Sequence, residues 1–244
     1  MDFALTEEQL MLQESVGGYL GSACPLDSVR EASKSGDTHL PAIAAGLTEL
    51  GTAGILIPEQ FGGVGMGFLE AALISEALGR VIAPVAFVAS SVMAPTALLS
   101  AGSDEQKDAW LPRIASGEVI IGVGISEQIG RRETDGIFAK NDTLSGKAMF
   151  VLDGMDADLV IIADTEGQLY LVQANDLTRN KLKTVDRTRS VAEIVLDKTP
   201  AEILPGSINN RNALDDMINA GRIMLSADTL GAATAMLELS LIHI

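Results

Sequence analysis

The hydrophobic pattern changes twice along this chain of 244 residues, and these changes constrain the fold more than any single motif does. Up to about residue 118, apolar residues recur mostly at helical spacing. From Val119, short segments rich in Val, Ile and Leu alternate with turn-forming residues, which predicts an antiparallel β-barrel or sandwich. Helical spacing returns after Pro205-Gly206. We therefore predict an α+β multidomain fold: an all-α domain over 1–117, a middle β-barrel over 118–205, and one long helix within 206–244.

Local sequence indicates where individual helices begin and end. Thr6 and Ser103 are each followed three residues later by Gln, the spacing of a capping box, so each is expected to begin a helix. Further helices are predicted over residues 39–50 and over Phe68–Leu78. Gly79 is expected to end the second of these, because glycine is the residue most common just after a helix.

Composition excludes several classes of protein. The chain has 17 basic and 33 acidic residues, a formal net charge of −16, which would repel a nucleic acid backbone. The single cysteine, Cys24, excludes a disulfide framework and a thiolate metal site. The two histidines, His39 and His243, argue against a histidine zinc site and a Ser-His-Asp triad. The acidic N-terminus and the absence of a long apolar run predict a cytoplasmic protein without a membrane span.

A glycine-rich stretch, FGGVGMG (residues 61–67), raises the question of phosphate binding. Its glycine spacing differs from the G-x-G-x-x-G of dinucleotide-binding folds, and it lacks the lysine of a P-loop. We therefore interpret it as a tight connection between two helices, in which glycine permits positive φ. Glu70 and Glu76 in the following helix are expected to be solvated or capping carboxylates.

Several segments together resemble the acyl-CoA dehydrogenase family, in the family's order and over residues 1 to about 238. The segment LTELGTAGILIPEQFGGVGMGFLEAALISEALGR resembles its N-terminal helical region. The segments GSDEQKDAWLPRIASGE, GISE, LSGKAMFVLDGMDADLVIIAD and DRTRSVAEIVLD resemble its later motifs. The resemblance implies a helical domain, a β-barrel and a helical bundle, of which residues 206–244 would be the first helix.

The resemblance also implies FAD-dependent α,β-dehydrogenation of an acyl-CoA thioester. An electron-transfer flavoprotein would be the electron acceptor, and the protein would be a homo- or hetero-oligomer in fatty acid or steroid side-chain metabolism. In the family, the glycine-rich stretch connects helices and shapes the wall on the acyl side without holding the cofactor phosphates.

The resemblance assigns two segments to the flavin ring. Gly124, Ile125 and Ser126 match the segment whose backbone and threonine hydroxyl contact the pyrimidine edge of the ring. Phe150, Val151 and Leu152 match an aromatic-Ile-Thr run, in which the aromatic residue flanks the ring. Leu152 stands where the family has a threonine, so it cannot donate that hydrogen bond. Without the resemblance, Ser126 would be interpreted as a turn cap and residues 150–152 as strand core.

Substrate-binding assignments are Arg131, Arg132 and Arg222. The adjacent arginines Arg131 and Arg132 replace the family's Gly-Ser-Asp turn, and they are expected either to contact a phosphate or to be solvated. Arg222 matches a family arginine near the CoA cleft, and a buried salt bridge is the competing explanation. We assign no catalytic base, because one family position for it aligns with Gly221 and the other would lie beyond Ile244.

Three functional hypotheses follow from these assignments. The first is a fragment of an FAD-dependent acyl-CoA dehydrogenase that lacks the catalytic base. The second is a non-catalytic partner subunit of a heteromeric acyl-CoA dehydrogenase, favoured by the altered segments SEQIGRRET and FVLDG. The third is a scaffold that binds neither flavin nor substrate. No metal is expected.

Overall fold

A computed structural model describes residues 4–130 and 136–242, except the side chains of Glu127 and Asp176. It begins with the helices α1 (Glu7–Ala23), α2 (Leu26–Ser35), α3 (Pro41–Glu49), α4 (Phe68–Val81), a π-helix (Phe87–Met93), α5 (Ala94–Ala101) and α6 (Asp104–Ala115). Eight strands follow: β1 (Ile121–Gly124), β2 (Ile137–Lys140), β3 (Thr143–Leu152), β4 (Leu159–Ala163), β5 (Leu169–Gln173), β6 (Thr178–Lys181), β7 (Val191–Pro200) and β8 (Glu202–Ile203). A one-turn helix, α7 (Ser126–Ile129), follows β1, and a long helix, α8 (Asn212–Ile242), ends the described chain. The predicted succession of helices, strands and a long helix is confirmed, whereas the domain boundaries stay predictions.

The strands form one sheet in the order β6-β7-β3-β1-β4-β5-β8, with β2 beside β3. Its pairs are antiparallel except that β1 and β4 are parallel, in a register that joins Ile121 to Leu159 and Gly124 to Ile162. The predicted antiparallel arrangement therefore holds for the other pairs of the described sheet, and this central pair is the exception. Parallel pairing places the carboxyl ends of β1 and β4 at the same edge of the sheet.

Strand β4 is apolar at every position because both of its faces are covered. Ile161 faces the helices and packs in a core shared with Met93 and Leu214. Val160 and Ile162 face the opposite way, into a second core that the curled sheet encloses with residues of β3 and β7. One face of the sheet is thus covered by helices, and the side chains of the other face pack against each other inside the curled sheet.

Helix α8 packs closely along α4 through glycines. A Cβ at Gly79 would overlap the carbonyl oxygen of Asp228, and a Cβ at Gly231 would overlap that of Glu76. The Ser75 hydroxyl donates a hydrogen bond of 2.8 Å to the carbonyl oxygen of Met224. The two helix backbones are therefore in contact, and neither glycine can be enlarged without moving a helix.

This contact corrects the prediction that Gly79 ends the helix predicted over Phe68–Leu78. Helix α4 continues to Val81 and is capped by Ile82, which has φ +54°. Gly79 is required for the approach of α8 and does not terminate the helix. Helix α2 was not predicted, because it is short and mostly polar. By contrast, both capping boxes are confirmed: the hydroxyls of Thr6 and Ser103 accept hydrogen bonds from the backbone N–H groups of the glutamines three residues later.

The glycine-rich stretch connects a short 3-10 turn to α4, as expected. Gly62 and Gly65 have φ of +78° and +70°, which favour glycine. A Cβ at Gly63 would overlap the carbonyl oxygen of Ile57. The Glu70 carboxylate accepts a hydrogen bond of 3.0 Å from the backbone N–H of Gly67, so it caps the helix. The stretch is a packed connection, as the sequence predicted.

By length and composition alone, α8 could cross a membrane: it has 31 residues and an 18-residue window of mean hydropathy 1.2, of which 6% is buried. A helix of a water-soluble fold passes the same test, so this is weak evidence. Helix α8 also carries Asp228, which is paired with Arg189, and its N-terminal half contributes Met217 and Met224 to the helical cores.

A cluster of charged side chains ties the sheet to α8. The Arg189 guanidinium donates a hydrogen bond of 2.6 Å to Asp228, and its Nε lies 3.9 Å from a carboxylate oxygen of Asp186. Asp153, just after β3, lies in the same region. Burial raises the pKa of Asp153 to about 7; the charge of Arg189 opposes this shift, and that of Asp156 adds to it. The protein therefore favours the protonated form of Asp153.

We predict that Asp153→Asn stabilises the protein increasingly as the pH rises from about 4 to 7. A raised pKa means that the folded state holds a proton that the unfolded state releases, so the wild type loses stability across this window. Asparagine avoids that loss and tolerates the positive φ of Asp153, +53°. Urea denaturation should show the advantage of the variant growing by roughly 2–4 kcal/mol between pH 4 and 8.

The matched control is Asp142→Asn, because Asp142 is exposed and has a similar φ of +54°. It measures the effect of asparagine at a positive φ without removing the buried carboxyl group of Asp153. A difference between Asp153→Asn and the wild type that is the same at pH 4 and pH 8 would contradict the prediction.

Candidate functional site

The carboxyl ends of β1 and β4 form the floor of the candidate site. After Gly124 the chain leaves the sheet, and Ile125, with φ −130° and ψ 10°, redirects it into α7. Ser126 is the first residue of α7 and therefore lies where the strand ends. The backbone N–H of Gly130 donates a hydrogen bond of 3.0 Å to the carbonyl oxygen of Ser126, which closes the single turn.

A bulge in β3 forms the adjacent wall. The register with β7 shifts between Ala148 and Val151, which both face the sheet core although they are three residues apart. Phe150 lies within the bulge with φ +54°, a conformation that is rare for a bulky residue. Its ring is 52% exposed. The bulge thus turns Phe150 out of the core toward the end of β1.

These elements and two helices enclose a cavity of about 430 Å³. The sheet side supplies Ile125, Ser126, Ile129, Gly130, Phe150 and Leu152, and the helical side supplies Met93, Ile218, Gly221, Arg222 and Leu225. Most of these side chains are apolar, with one hydroxyl and one guanidinium, as in many small-molecule sites. Six residues singled out from the sequence therefore meet in one cavity: Ile125, Ser126, Phe150, Leu152, Gly221 and Arg222.

The Ser126 hydroxyl is the polar group that best indicates a ligand. Its oxygen is buried and has no hydrogen-bond partner in the protein. An unpaired buried hydroxyl is costly, because it has lost water without gaining a partner. A turn-capping role is excluded, since a cap would provide that partner. A heteroatom at the edge of a flavin ring would satisfy the hydroxyl, so this residue fits the cofactor that the sequence predicted.

Two predicted contact residues lie beside the cavity rather than in its lining. The side chain of Val151 is fully buried in the sheet core. A Cβ at Gly124 would lie 3.2 Å from Val151 Cγ2, so Gly124 packs tightly against Val151. Neither residue therefore offers a side chain to a cofactor in the cavity. Leu152 does line the cavity, but it brings only an apolar surface.

Arg222 lies at the rim of the cavity and is exposed to solvent. Its Nη1 donates a hydrogen bond of 3.2 Å to the side-chain oxygen of Asn219, one turn earlier in α8. The alternative of a buried salt bridge is therefore wrong. The positively charged end of Arg222 is accessible from the cavity mouth.

The Met93 side chain packs directly against Gly221. A Cβ at Gly221 would lie 2.8 Å from the sulfur of Met93, closer than real Cβ atoms approach. Both residues are buried. The methionine thus occupies the space into which a side chain at position 221 would extend.

Sequence analysis did not single out the remaining lining residues. Ile218, Gly221 and Leu225 follow one another at the three- and four-residue spacing of one helix face, so their common orientation could have been deduced once Gly221 was placed in the site. Met93 comes from a distant helix, and no local pattern indicates its contact. Arg131 and Arg132 lie outside the described residues.

Comparison with known proteins agrees with this architecture. The family model "Acyl-CoA dehydrogenase, N-terminal domain" matches residues 6–118. The acyl-CoA dehydrogenase IpdE2 of Mycolicibacterium smegmatis is 27% identical over 240 residues, which cover 98% of this chain and 65% of that protein. Mitochondrial isovaleryl-CoA dehydrogenase of Bos taurus is 29% identical over 167 residues, which cover 65% of this chain and 39% of that enzyme.

Solved structures share the fold. A glutaryl-coenzyme A dehydrogenase in complex with glutaryl-CoA superposes with a TM-score of 0.84 at 22% identity, covering 99% of this chain and 68% of that one. The Tcur3481-Tcur3483 steroid ACAD gives a TM-score of 0.82 at 26% identity, covering 96% of this chain and 65% of that one. The chain thus spans about two thirds of the length of these proteins.

The helix, sheet and helix order, with a cavity where the three meet, defines an acyl-CoA dehydrogenase fold. The family model and the relatives agree with this assignment of the fold. The chain belongs to the acyl-CoA dehydrogenase family.

We predict that Met93 determines what position 221 tolerates. Gly221→Ala should lower the free energy of unfolding by about 1 kcal/mol, because overpacking against Met93 outweighs the better helix propensity of alanine. In a Met93→Ala background, the same substitution should instead raise the free energy of unfolding by about 0.5–1 kcal/mol. Chemical denaturation of the four proteins of this double-mutant cycle measures the coupling.

Gly17→Ala is the matched control, because Gly17 is an exposed glycine within α1 and an added Cβ would meet nothing within 4 Å. It should stabilise the protein with or without Met93. An equal effect of Gly221→Ala in the two Met93 backgrounds would refute the contact as the cause.

Proposed function

We propose that this chain is an FAD-binding acyl-CoA dehydrogenase subunit that does not itself supply the catalytic base. The observation that carries the proposal is the unpartnered, buried hydroxyl of Ser126 in a mainly apolar cavity where sheet and helices meet. The family relationship makes FAD the expected ligand of such a cavity. A cytoplasmic location and a place in fatty acid or steroid side-chain metabolism stay predictions.

The sheet side of the cavity suits the flavin ring. When bound, the flavin supplies the acceptor for a hydride from the substrate. The Ser126 hydroxyl would donate a hydrogen bond to the polar edge of the ring and so fix its orientation. Phe150 would lie against the ring, and Leu152 would contribute an apolar contact without a hydrogen bond. The ring is therefore held by one polar group and by packing.

The helical side of the cavity suits an acyl thioester. Met93, Ile218 and Leu225 present apolar surface, which favours a hydrocarbon chain and excludes water. Arg222 offers a positive charge at the rim, where it would attract the phosphates of a CoA carrier. The chain length or branching of the acyl group does not follow from these residues.

The cavity lacks a base among its described lining residues. None of them carries a carboxylate, and Gly221 has no side chain. Abstraction of an α-proton requires a general base within hydrogen-bonding reach. Glu238, further along α8, is exposed and paired with Arg80, so it cannot serve. A base would have to come from another polypeptide segment or subunit.

A non-catalytic partner subunit of a heteromeric acyl-CoA dehydrogenase is the second candidate. Leu152 lacks the hydroxyl that the family uses beside the flavin, and Met93 fills the space at Gly221. Both features suit a subunit that does not take part in catalysis. The two candidates differ in flavin content, because a subunit that has lost its flavin contacts would purify without visible absorbance. An electron-transfer flavoprotein as redox partner is an expectation of the first candidate.

We predict that the 244-residue chain binds FAD and that Ser126→Ala weakens binding about fivefold, the loss of one neutral hydrogen bond worth ~1 kcal/mol. Isothermal titration or quenching of flavin fluorescence measures the dissociation constant. Ser190→Ala is the matched control: its hydroxyl is also buried and unpartnered, but it does not line the cavity. Absence of FAD binding by the wild type would favour the partner-subunit candidate instead.

We also predict that the chain alone does not dehydrogenate acyl-CoA thioesters. Purified protein, FAD, an artificial electron acceptor and a panel of acyl-CoAs should give no turnover above a control without protein, because none of the described residues that line the cavity carries a carboxylate. Turnover that is abolished by replacing a carboxylate of this chain would prove the assignment wrong.

A further inference from the structure

Gln128 lies two residues after Ser126 but does not line the cavity. Residues two apart on a helix point to nearly opposite sides, so Ser126 faces the cavity while Gln128 faces away from it.

The amide of Gln128 is bonded at both ends. Its Nε2 donates a hydrogen bond of 2.6 Å to the carbonyl oxygen of Asp164, which follows β4. Its Oε1 accepts a hydrogen bond of 3.1 Å from Nη1 of Arg211, the residue just before α8. The two partners also fix the amide orientation, because a carbonyl needs a donor and a guanidinium needs an acceptor. One side chain thus joins α7, the sheet edge and the start of α8.

Both partners of Gln128 are themselves held in place. Asp164 is buried, and its carboxylate accepts backbone hydrogen bonds of 2.9 Å from Glu166 and from Gln168, which fixes the turn between β4 and β5. Arg211 Nε lies 3.3 Å from the Asp215 carboxylate. Gly167, with φ +85°, packs beside the Gln128 amide, because an added Cβ there would lie 3.7 Å from Gln128 Oε1. Gln128 is therefore bonded to the buried β4–β5 turn through Asp164 and to the start of α8 through Arg211.

We propose that Gln128 is a positioning residue that holds the Ser126 hydroxyl in the orientation required by the flavin. Helix α7 has only one turn, which is closed by two backbone hydrogen bonds of 2.9 and 3.0 Å. The bonds of Gln128 to Asp164 and Arg211 add a restraint from outside this turn. This inference rests on the proposed function, because it concerns how the protein contacts FAD.

The test is FAD binding by the full 244-residue chain. Gln128→Met removes both hydrogen bonds and keeps the volume and helix propensity of the side chain. It should weaken FAD binding about fivefold, as Ser126→Ala does, since the serine hydrogen bond is no longer held in place. In the double variant the dissociation constant should stay within about twofold of either single variant, because the two residues act through the same bond.

Gln106→Ala is the matched control. The Gln106 amide is also bonded at both ends, to the carbonyl oxygen of Ile203 at 3.0 Å and to the backbone N–H of Ser103 at 3.0 Å, but it is remote from the cavity lining. It should lower the melting temperature and leave FAD affinity unchanged. Arg211→Met removes one of the two hydrogen bonds of Gln128 and serves as an independent variant if Gln128→Met does not fold. It should weaken FAD binding two- to threefold, which is roughly half of the effect of Gln128→Met on a logarithmic scale.

The outcomes separate this inference from the proposed function. A wild type that does not bind FAD overturns the proposed function, and the inference with it. A wild type that binds FAD, together with folded Gln128→Met and Arg211→Met variants that bind it equally well, overturns only the positioning role. Additive losses in the Gln128 and Ser126 double variant would likewise show that Gln128 does not act through Ser126.

Discussion

The parallel pairing of β1 with β4 is the constraint on which the candidate site depends. In an otherwise antiparallel sheet, it places the carboxyl ends of two neighbouring strands at one edge. Ser126 follows the end of β1, and Asp164 follows the end of β4. Helix α7 and the β4–β5 turn therefore come close enough for the Gln128 side chain to join them. Reversing either strand would move one of these groups to the far edge and dismantle the cavity floor.

The opposite wall depends on backbone contact between helices. Gly79 and Gly231 let α4 and α8 touch, and the Ser75 hydroxyl bonds across that contact. This fixes α8 so that Gly221 faces the sulfur of Met93 and Arg222 reaches the cavity rim. The pair of Arg189 with Asp228 holds the same helix to the sheet. The cavity thus lies between the sheet edge and α8, and contacts within the protein hold α8 to both α4 and the sheet.

Much of this fold follows from the sequence, because element type is local. The change of hydrophobic period at Val119 predicted strands between two helical regions, and capping residues located the start of α1 and α6. Gly79 was misassigned for a physical reason: a glycine that ends a helix and one that admits a neighbouring backbone look alike in sequence. The parallel β1–β4 pair depends on long-range topology, which local patterns do not contain.

The candidate site was predictable only in part. The resemblance placed Ser126 and Phe150 in the cavity, but it also assigned Val151, whose side chain the bulge in β3 directs into the sheet core. Met93 and Gln128 act through contacts with residues far away in sequence, so neither could be deduced from spacing. Met93 contacts the glycine that aligns with one family position of the base, and Gln128 lies two residues after the serine assigned to the flavin.

A crystal structure of the chain grown with FAD would test the central claim most directly. We expect the isoalloxazine ring to lie in the cavity of about 430 Å³, with the Ser126 hydroxyl hydrogen-bonded to the edge of the ring and Phe150 in contact with the ring. A ring bound elsewhere, or a Ser126 hydroxyl still without a partner beside a bound ring, would contradict this account.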